Sequence, residues 1–350
     1  MVKPWHEWVF SLYPQPGYTD FDFKPEPQEY EKRIRDFIGN DRIPITVTDV
    51  SKWRINEVVA EKYSDGNIFC LGDAVHRHPP PNGLGSNTCV QDAYNLAWKL
   101  AYVERGVAGD ALLDTYNAER QPIGHRIVER ANQALQEQVP IWQALGGLHN
   151  DLDERKRQLA EMSAPTKAGR ERRQTFMSGI NAAERAYGGI GIEMNLQYSS
   201  IAVYAKDEVD SRSESPLDPV LYYQISTYPG SRLPHAWLNS RKPVAAPKST
   251  HDLAGNGVFC LFTGPGGDKW KDAAQNVITA LGVRIEVYSI GWRQDWEDVY
   301  GEWAQRREVD ESGCVLIRPD RIVCWRSMMT LEEESGIALI RATKSVLGKL

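Results

Sequence analysis

The pattern of hydrophobic and polar positions predicts helices and strands that alternate along most of the chain. Apolar residues at helical spacing, with proline, aspartate or glycine at their ends, predict helices over Pro27–Ile38, Leu112–Ala144, Asp268–Leu281 and Leu331–Leu347. Short apolar or alternating runs predict strands at Trp8–Tyr13, Ile43–Trp53, Ile68–Leu71, Val258–Phe262, Val283–Ser289, Cys314–Arg318 and Arg321–Trp325. This order of elements predicts an α/β fold.

One stretch, residues 66–101, combines several unusual local features. The apolar run Ile68–Leu71 has the length of a buried strand, and Gly72-Asp73 follows it as an acid-bearing turn. Three prolines, Pro79 to Pro81, are expected to hold the next segment extended because each fixes its own φ. The turn that follows contains Gly83 and Gly85, which tolerate backbone angles that other residues resist.

A helix is predicted directly after these glycines. It is expected to begin near Ser86 or Asn87, because both residue types cap helix N-termini well. Its predicted packed face has apolar residues at helical spacing: Val90, Ala93, Tyr94, Ala97 and Ala101.

Together these features suit a polyhydroxylated, phosphorylated cofactor that carries a flat ring. The N–H groups of a helix N-terminus favour an anion, and glycines let a ligand approach the backbone. The Asp73 carboxylate can accept hydrogen bonds from hydroxyls, and the prolines offer a flat wall. The alternative is a strand–turn–helix corner of an ordinary α/β domain, in which Asp73 completes a turn and Asn87 caps a helix.

Composition and charge exclude several other classes of protein. The net charge of −6 argues against a general nucleic-acid binder, and no apolar run is long enough for a membrane span. The N-terminus lacks the hydrophobic region of a signal peptide. The five cysteines form neither a C-x-x-C nor a zinc spacing, so we expect reduced core residues, no metal site and a cytoplasmic location. His76 and His78 are interpreted as packing or turn residues, without further metal ligands.

Three segments resemble the FAD-dependent aromatic hydroxylases, in particular their phenol and chlorophenol hydroxylase branch. GDAVHRHPPPNGLGSN followed by DAYNLAWKLA is similar to the second FAD fingerprint of that family. The run Tyr116–Pro122 resembles its Y-x-x-E-R-x-P helix, which would make Glu119 and Arg120 structural. VLIRPDRIVCWR, residues 315–326, resembles the ending of its C-terminal domain.

The resemblance implies the C-terminal part of p-hydroxybenzoate-hydroxylase-like FAD and substrate domains, followed by a thioredoxin-like domain. Residues 1–60 would be the remainder of the substrate-binding domain, and residues 61–190 the C-terminal part of the FAD-binding domain with a helical extension. Residues 191–350 would form the thioredoxin-like domain, which in relatives serves packing and subunit contact, so a homodimer through this region is expected.

The implied activity is hydroxylation of a phenolic or other small aromatic substrate by FAD, NAD(P)H and O₂. The resemblance assigns the following residues to FAD binding: Gly72, Asp73, Pro80, Pro81, Gly83, Gly85, Ser86 and Asn87. Asp73 would bind the ribityl hydroxyls, the prolines would line the flavin, and the helix N-terminus would face its pyrimidine side. No catalytic residue is identified, and the identity of the phenol and the choice between NADH and NADPH remain open.

One element that the family implies is absent from the sequence. No G-x-G-x-x-G follows an early strand, so the contacts to adenosine and most of those to pyrophosphate are expected outside these 350 residues. Two rivals therefore stand beside the monooxygenase: a truncated, inactive remnant or interaction protein, and a thioredoxin-like redox protein, against which the lack of C-x-x-C argues. The isolated chain is expected to bind FAD weakly or not at all.

Overall fold

A computed structural model describes residues 2–3, 6–11, 26–52, 54–149, 151–242 and 246–350 of the chain. The chain divides into two compact units. One comprises residues 1–55 and 137–182, and the other residues 56–136 and 183–350. Among the described residues, the first unit contains helices and no named strand, whereas the second contains every named strand.

The described residues form a mixed fold of helices and strands. The helices are α1 Pro27–Ile38, α2 Gly85–Glu104, α3 Ala111–Glu137, α4 Val139–Ala144, α5 Leu152–Glu161, α6 Lys167–Tyr187, α7 Ile190–Met194, α8 Thr250–Leu253, α9 Lys269–Leu281, α10 Glu302–Arg306 and α11 Ser335–Val346. The strands are β1 Val58–Val59, β2 Ser64–Asp65, β3 Ile68–Phe69, β4 His76–Arg77, β5 Trp237–Ser240, β6 Lys248–Ser249, β7 Phe259–Thr263, β8 Ile285–Ser289, β9 Trp296–Asp298, β10 Cys314–Ile317 and β11 Val323–Ser327.

In the first unit, α1 begins and ends at the predicted residues, but the strand predicted after it is not formed. Pro27 occupies the first turn, and Gly39 ends the helix in a left-handed conformation at φ +68°. The predicted strand Ile43–Trp53 has no strand pairing among its described residues, and Ile43 and Val47 are exposed. Trp53 and the end of the predicted strand Trp8–Tyr13 lie outside the described residues, and residues 8–11 form no strand.

The main sheet of the second unit has the strand order β11-β10-β7-β8. Strands β7 and β8 are parallel, whereas β10 is antiparallel to both β7 and β11. Strand β7 is buried on both faces, so its residues alternate between two cores. Phe259 and Leu261 pack with Trp270 and Trp325 on one side, whereas Phe262 packs on the other.

The predicted C-terminal elements are confirmed to within a few residues. Helix α9 ends at Gly282, which has φ +69°, and β10 and β11 flank the predicted Pro319-Asp320 turn. Helix α3 continues through Pro122, in agreement with the predicted helix over Leu112–Ala144, but it ends at Glu137, and α4 covers the rest of that range. A smaller sheet of order β6-β5-β9 and two short pairs, β1-β4 and β2-β3, complete the described strands of this unit.

Charged side chains are buried where α2 and α3 meet the turn between β10 and β11. Glu119 of α3 accepts hydrogen bonds from Arg318 through both carboxylate oxygens, at 2.6 and 2.9 Å. Arg318 also binds Asp320 at 2.6 Å, and Lys99 of α2 donates to Glu119 at 2.8 Å. These four side chains are at most 3% exposed and carry two charges of each sign. Buried charge is tolerated here because every ion is paired and hydrogen-bonded.

Pairing sets the protonation states within this buried group. Burial alone would raise the pKa of Glu119, but the charges and hydrogen bonds of Arg318 and Lys99 outweigh it and hold that pKa well below its usual range. Burial lowers the pKa of Lys99 to about 8, although the charge of Glu119 acts in the opposite direction. Near pH 7 the pair is therefore mostly in its ionised form.

Glu119→Gln should lower the free energy of unfolding by about 3–5 kcal/mol, because it leaves the buried cations with one carboxylate fewer. Urea denaturation followed by tryptophan fluorescence measures this change. Lys271→Gln is the control, because it breaks an exposed pair with Asp268 at 3.5 Å and should change stability by less than about 1 kcal/mol. A Glu119→Gln variant as stable as the wild type would contradict the predicted contribution of Glu119.

Acid should destabilise the second unit through the same carboxylate. The pKa of folded Glu119 lies below its unfolded value of 4.5, so its contribution is present above that pH and is lost as the pH falls further. Urea midpoints measured from pH 7 to pH 3 should therefore decline most steeply below about 4.5. The Glu119→Gln variant should show a shallower decline, and equal slopes for the two proteins would refute this assignment.

Candidate functional site

The candidate site is built on a hairpin and a tight turn at the start of the 66–101 stretch. Strands β2 and β3 form the hairpin, so the predicted strand Ile68–Leu71 is confirmed only for its first half. The prediction that this strand is buried is wrong, because Ile68 is 68% exposed. A single 3-10 turn, Gly72–Ala74, follows and leaves the Asp73 side chain exposed.

Gly72 is required in that turn for two reasons. Its φ of +62° lies in the left-handed region, which side chains disfavour. A Cβ atom at this position would also lie 2.9 Å from the Cys89 sulfur of α2. The same sulfur lies 3.9 Å from Oδ1 of Asp73, so α2 packs directly against the acid-bearing turn.

The Asp92 carboxylate of α2 connects this turn to the helices beneath it. Its Oδ2 atom accepts from the Gly72 N–H at 3.1 Å and from His76 Nε2 at 3.0 Å. Its Oδ1 atom accepts from Arg120 Nε at 2.7 Å, and Arg120 continues to the Tyr198 hydroxyl at 2.7 Å. Burial would raise the pKa of Asp92, but the bonds from His76 and Arg120 lower it on balance, so the carboxylate stays ionised.

The proline segment differs from its predicted extended form. Pro79 is buried, but Pro80 has helical angles, φ −66° and ψ −18°, and Pro81–Gly83 form a second 3-10 turn. Proline restricts φ and leaves ψ free, so a run of prolines can turn as well as extend. Asn82 and Gly83 both have positive φ, at +68° and +62°, and reverse the chain into α2.

Helix α2 begins at Gly85, one or two residues before the predicted start. Neither Ser86 nor Asn87 caps it with a side chain; both lie exposed in its first turn, and the Asn87 amide donates to the Gly83 carbonyl at 3.0 Å. Among the described residues, no acceptor is bonded to the backbone N–H of Gly85, Ser86 or Asn87. Such free N–H groups can bind an anion or an electron-rich ring edge.

The predicted packed face of α2 is wrong. Val90 and Tyr94 are exposed, whereas the buried residues of the helix include Asp92, Asn95 and Lys99. The helix therefore buries a polar stripe, which hydrophobic periodicity does not detect. Sequence reasoning consequently missed Asp92, and its available signal was its place as the first residue of the DAYNLAWKLA segment.

Other candidate residues of the sequence have structural surroundings. Glu119 and Arg120 are buried and paired, as expected for bracing residues, and His76 is held by Asp92. The described residues contain no cluster of three potential metal ligands, and none of their helices is long and apolar enough to cross a membrane.

The cysteines are all unpaired, but they do not all lie in the core. Cys260, Cys314 and Cys324 are buried in β7, β10 and β11, as predicted. Cys70 is exposed and Cys89 is partly exposed, which corrects the expectation that all five are core residues.

The residues of this site fit part of a flavin cofactor. An exposed carboxylate, a glycine that permits close approach, and unbonded N–H groups at a helix start occur within one short segment. Their chemistry matches hydroxyls and an electron-rich ring edge.

Comparisons with known families agree with this fit. A family described as "FAD binding domain" matches residues 1–131, and one described as "Aromatic-ring hydroxylase, C-terminal" matches residues 226–349. A 2,4-dichlorophenol 6-monooxygenase of Delftia acidovorans is 39% identical over 99% of this chain and 58% of its own length. A phenol 2-monooxygenase of Pseudomonas sp. (strain EST1001) is 38% identical over 96% of this chain and 55% of its own length.

Solved structures give the same result. The flavin-dependent monooxygenase PieE, crystallised with FAD and substrate, superposes with a TM-score of 0.88 and 38% identity over 96% of this chain and 57% of its own. Aklavinone-11 hydroxylase, in a ternary complex with FAD and aklavinone, has a TM-score of 0.67 and 27% identity over 92% of this chain and 51% of its own. The chain thus spans a little over half the length of these relatives, and its two matched segments are the FAD-binding and C-terminal domains of the FAD-dependent aromatic hydroxylase family.

Proposed function

We propose that this chain supplies the flavin-facing part of an FAD-dependent monooxygenase that hydroxylates a phenolic or other aromatic ring with NAD(P)H and O₂. The observation that carries the proposal is the exposed Asp73 carboxylate, set in one segment with the unbonded N–H groups of Gly85, Ser86 and Asn87. Relatives with 38–39% identity over nearly the whole chain are phenol and chlorophenol monooxygenases.

Each predicted residue has a role that its position allows. Asp73 would accept hydrogen bonds from ribityl hydroxyls, and Gly72 would let the cofactor approach the turn. Pro80 is exposed and Pro81 partly exposed, so both can line a flat ring. Gly83 would keep the turn before the helix open.

The start of α2 would hold the negatively charged side of the ring. The N–H groups of Gly85, Ser86 and Asn87 would face it, and the positive end of the helix favours such charge by up to about 2 kcal/mol in a partly buried site. Bound FAD supplies the redox and oxygen chemistry, while the protein binds it, orients it and excludes water. No described residue is assigned here as an acid or base toward the aromatic substrate.

The domain assignments made from sequence remain part of this proposal, including the boundaries 1–60, 61–190 and 191–350. A thioredoxin-like C-terminal domain is supported by the order of the main sheet, in which a parallel pair, β7 and β8, is extended on the β7 side by the antiparallel hairpin β10–β11. Helices α9 and α11 pack together beside this sheet. A cytoplasmic location is supported by five unpaired cysteines, of which Cys70 is exposed.

A second candidate is an interaction protein without catalytic activity. It is favoured by apolar residues that are exposed on α2 and in the hairpin, namely Val90, Leu100 and Ile68. Exposed apolar side chains are a feature of surfaces that another polypeptide covers. FAD binding distinguishes the two candidates.

Titration of the 350-residue chain with FAD, followed by flavin fluorescence and melting temperature, tests the first candidate. We expect weak binding, because the chain has only one of the two FAD fingerprints, with a small rise in melting temperature at saturation. Asp73→Asn should weaken binding about tenfold, the effect of losing a hydrogen bond to a charged group.

Asp110→Asn is the matched control for that titration, since it removes an exposed carboxylate outside the fingerprint and should leave FAD binding unchanged. Equal affinities of the Asp73→Asn variant and the wild type would exclude Asp73 as a ligand. Absence of any binding at millimolar FAD would favour the interaction protein.

The subunit contact expected in the C-terminal region is proposed to use exposed aromatic residues near the small sheet. Trp292 is 75% exposed and Tyr300 is 67% exposed, and Trp237 of β5 is also exposed. Light scattering should show a dimer for the wild type and a shift toward monomer for Trp292→Glu. Tyr187→Glu, at an exposed tyrosine of another region, should stay dimeric. A monomeric wild-type chain would contradict the proposed subunit contact.

A further inference from the structure

The Asp92 carboxylate is saturated by donors from three different parts of the fold. It is fully buried, and its two oxygens accept from the backbone of the Gly72 turn, from His76 of β4 and from Arg120 of α3. Among the described residues, the other ring nitrogen of His76 has no partner, so the ring's one hydrogen bond is to Asp92. His76 therefore donates its Nε2 proton to the carboxylate.

The same carboxylate is linked to the other end of the fingerprint. The His76 ring stacks on His78, with centroids 6.4 Å apart and planes 21° from parallel. His78 in turn contacts the Pro79 carbonyl at 2.7 Å and lies against Gly85, where an added Cβ would meet its ring at 3.6 Å. A chain of contacts thus runs from the Gly72 turn, through Asp92 and His76, to the first residue of α2.

We propose that Asp92 is a positioning residue for the flavin, which sets the place of the Asp73 turn relative to the N-terminus of α2. The inference rests on the proposed function, because Asp73 and that helix end are its flavin ligands. Asp92 does not itself face the ligand: its oxygens are occupied from below the turn. Its effect passes through the Gly72 N–H, the backbone group directly before Asp73.

Asp92→Asn is the variant that tests this directly. The amide keeps the size of the side chain but replaces one carboxylate oxygen by an NH₂ group, which cannot accept a hydrogen bond. Either the bond from Arg120 or the two bonds from Gly72 and His76 are therefore lost. The Gly72 turn should then move away from α2. Since the Cys89 sulfur packs against this turn, its reaction with a maleimide reports the change without any flavin.

The labelling experiment uses the full chain in a Cys70→Ser background, because Cys70 is the other exposed thiol and the remaining three are buried. Rates are measured over a pH series, which separates a change in the thiol pKa from a change in access to the thiolate. Burial first, and then the charges of Asp73 and Asp92, raise the pKa of Cys89. The quantity compared is therefore the pH-independent rate constant of the thiolate.

We expect this constant to rise at least about tenfold in Asp92→Asn, the factor for losing one hydrogen bond to a charged group. His76→Leu keeps the charge of Asp92 and removes one of its donors, so a smaller rise of the rate constant is expected. This variant tests the proposal even if Asp92→Asn does not fold. Asp295→Asn is the matched control, because it alters a carboxylate whose hydrogen bonds come from Ser289 at the end of β8, and it should change labelling by less than about twofold. Folded variants of Asp92 and His76 that label at the wild-type rate would overturn the proposal.

FAD titration of the same proteins separates this inference from the proposed function. If both hold, Asp92→Asn loses FAD affinity by about tenfold relative to Asp295→Asn. A wild-type chain that does not bind FAD counts against the proposed function, while the labelling rates still decide the role of Asp92. Faster labelling with unchanged FAD affinity would overturn the positioning role toward the flavin.

Discussion

Two buried carboxylates, Asp92 and Glu119, constrain the second unit more than any apolar contact does. Each is fully buried and ionised, so each requires cations and donors at fixed distances. Two adjacent residues of α3 connect them to the rest of the unit: Glu119 itself pairs with Arg318, and the next residue, Arg120, pairs with Asp92. One turn of α3 therefore fixes both the acid-bearing turn and the C-terminal sheet.

This arrangement makes α2 a rigid link between the candidate site and the main sheet. Asp92, Asn95 and Lys99 follow one another along the buried side of the helix, the first bonded to the Gly72 turn and the last to Glu119. The same helix contributes Trp98 and Tyr102 to the core that contains Phe259 of β7. A shift of the C-terminal sheet would thus be transmitted to the Gly72 turn through a packed, hydrogen-bonded helix.

The sequence predicted elements whose signals are local. Pro27 and Gly39 bound α1 at its observed limits, and Asp268 and Gly282 bracket α9. The strand predicted at Ile43–Trp53 was wrong because alternating apolar and polar residues show only that a segment could pair. A strand also needs a partner that is distant in sequence. The acid-bearing turn and the glycines were found because their residue types are restricted by the backbone. Asp92 was not, since a buried polar residue interrupts the very periodicity by which helices are recognised.

Stability alone does not explain why charges occupy these positions. Well-packed apolar side chains of similar volume often serve as well as a buried ion pair, because removing two ions from water offsets much of their attraction. Apolar packing, however, is non-directional, whereas a carboxylate that accepts from three donors fixes their relative orientation. The orientation fixed here is that of the Gly72 turn and His76, both in the segment of residues 66–101, relative to Arg120 of α3. The need to fix the geometry of that segment, more than any added stability, therefore explains why Asp92 lies beneath the turn with three hydrogen-bond donors.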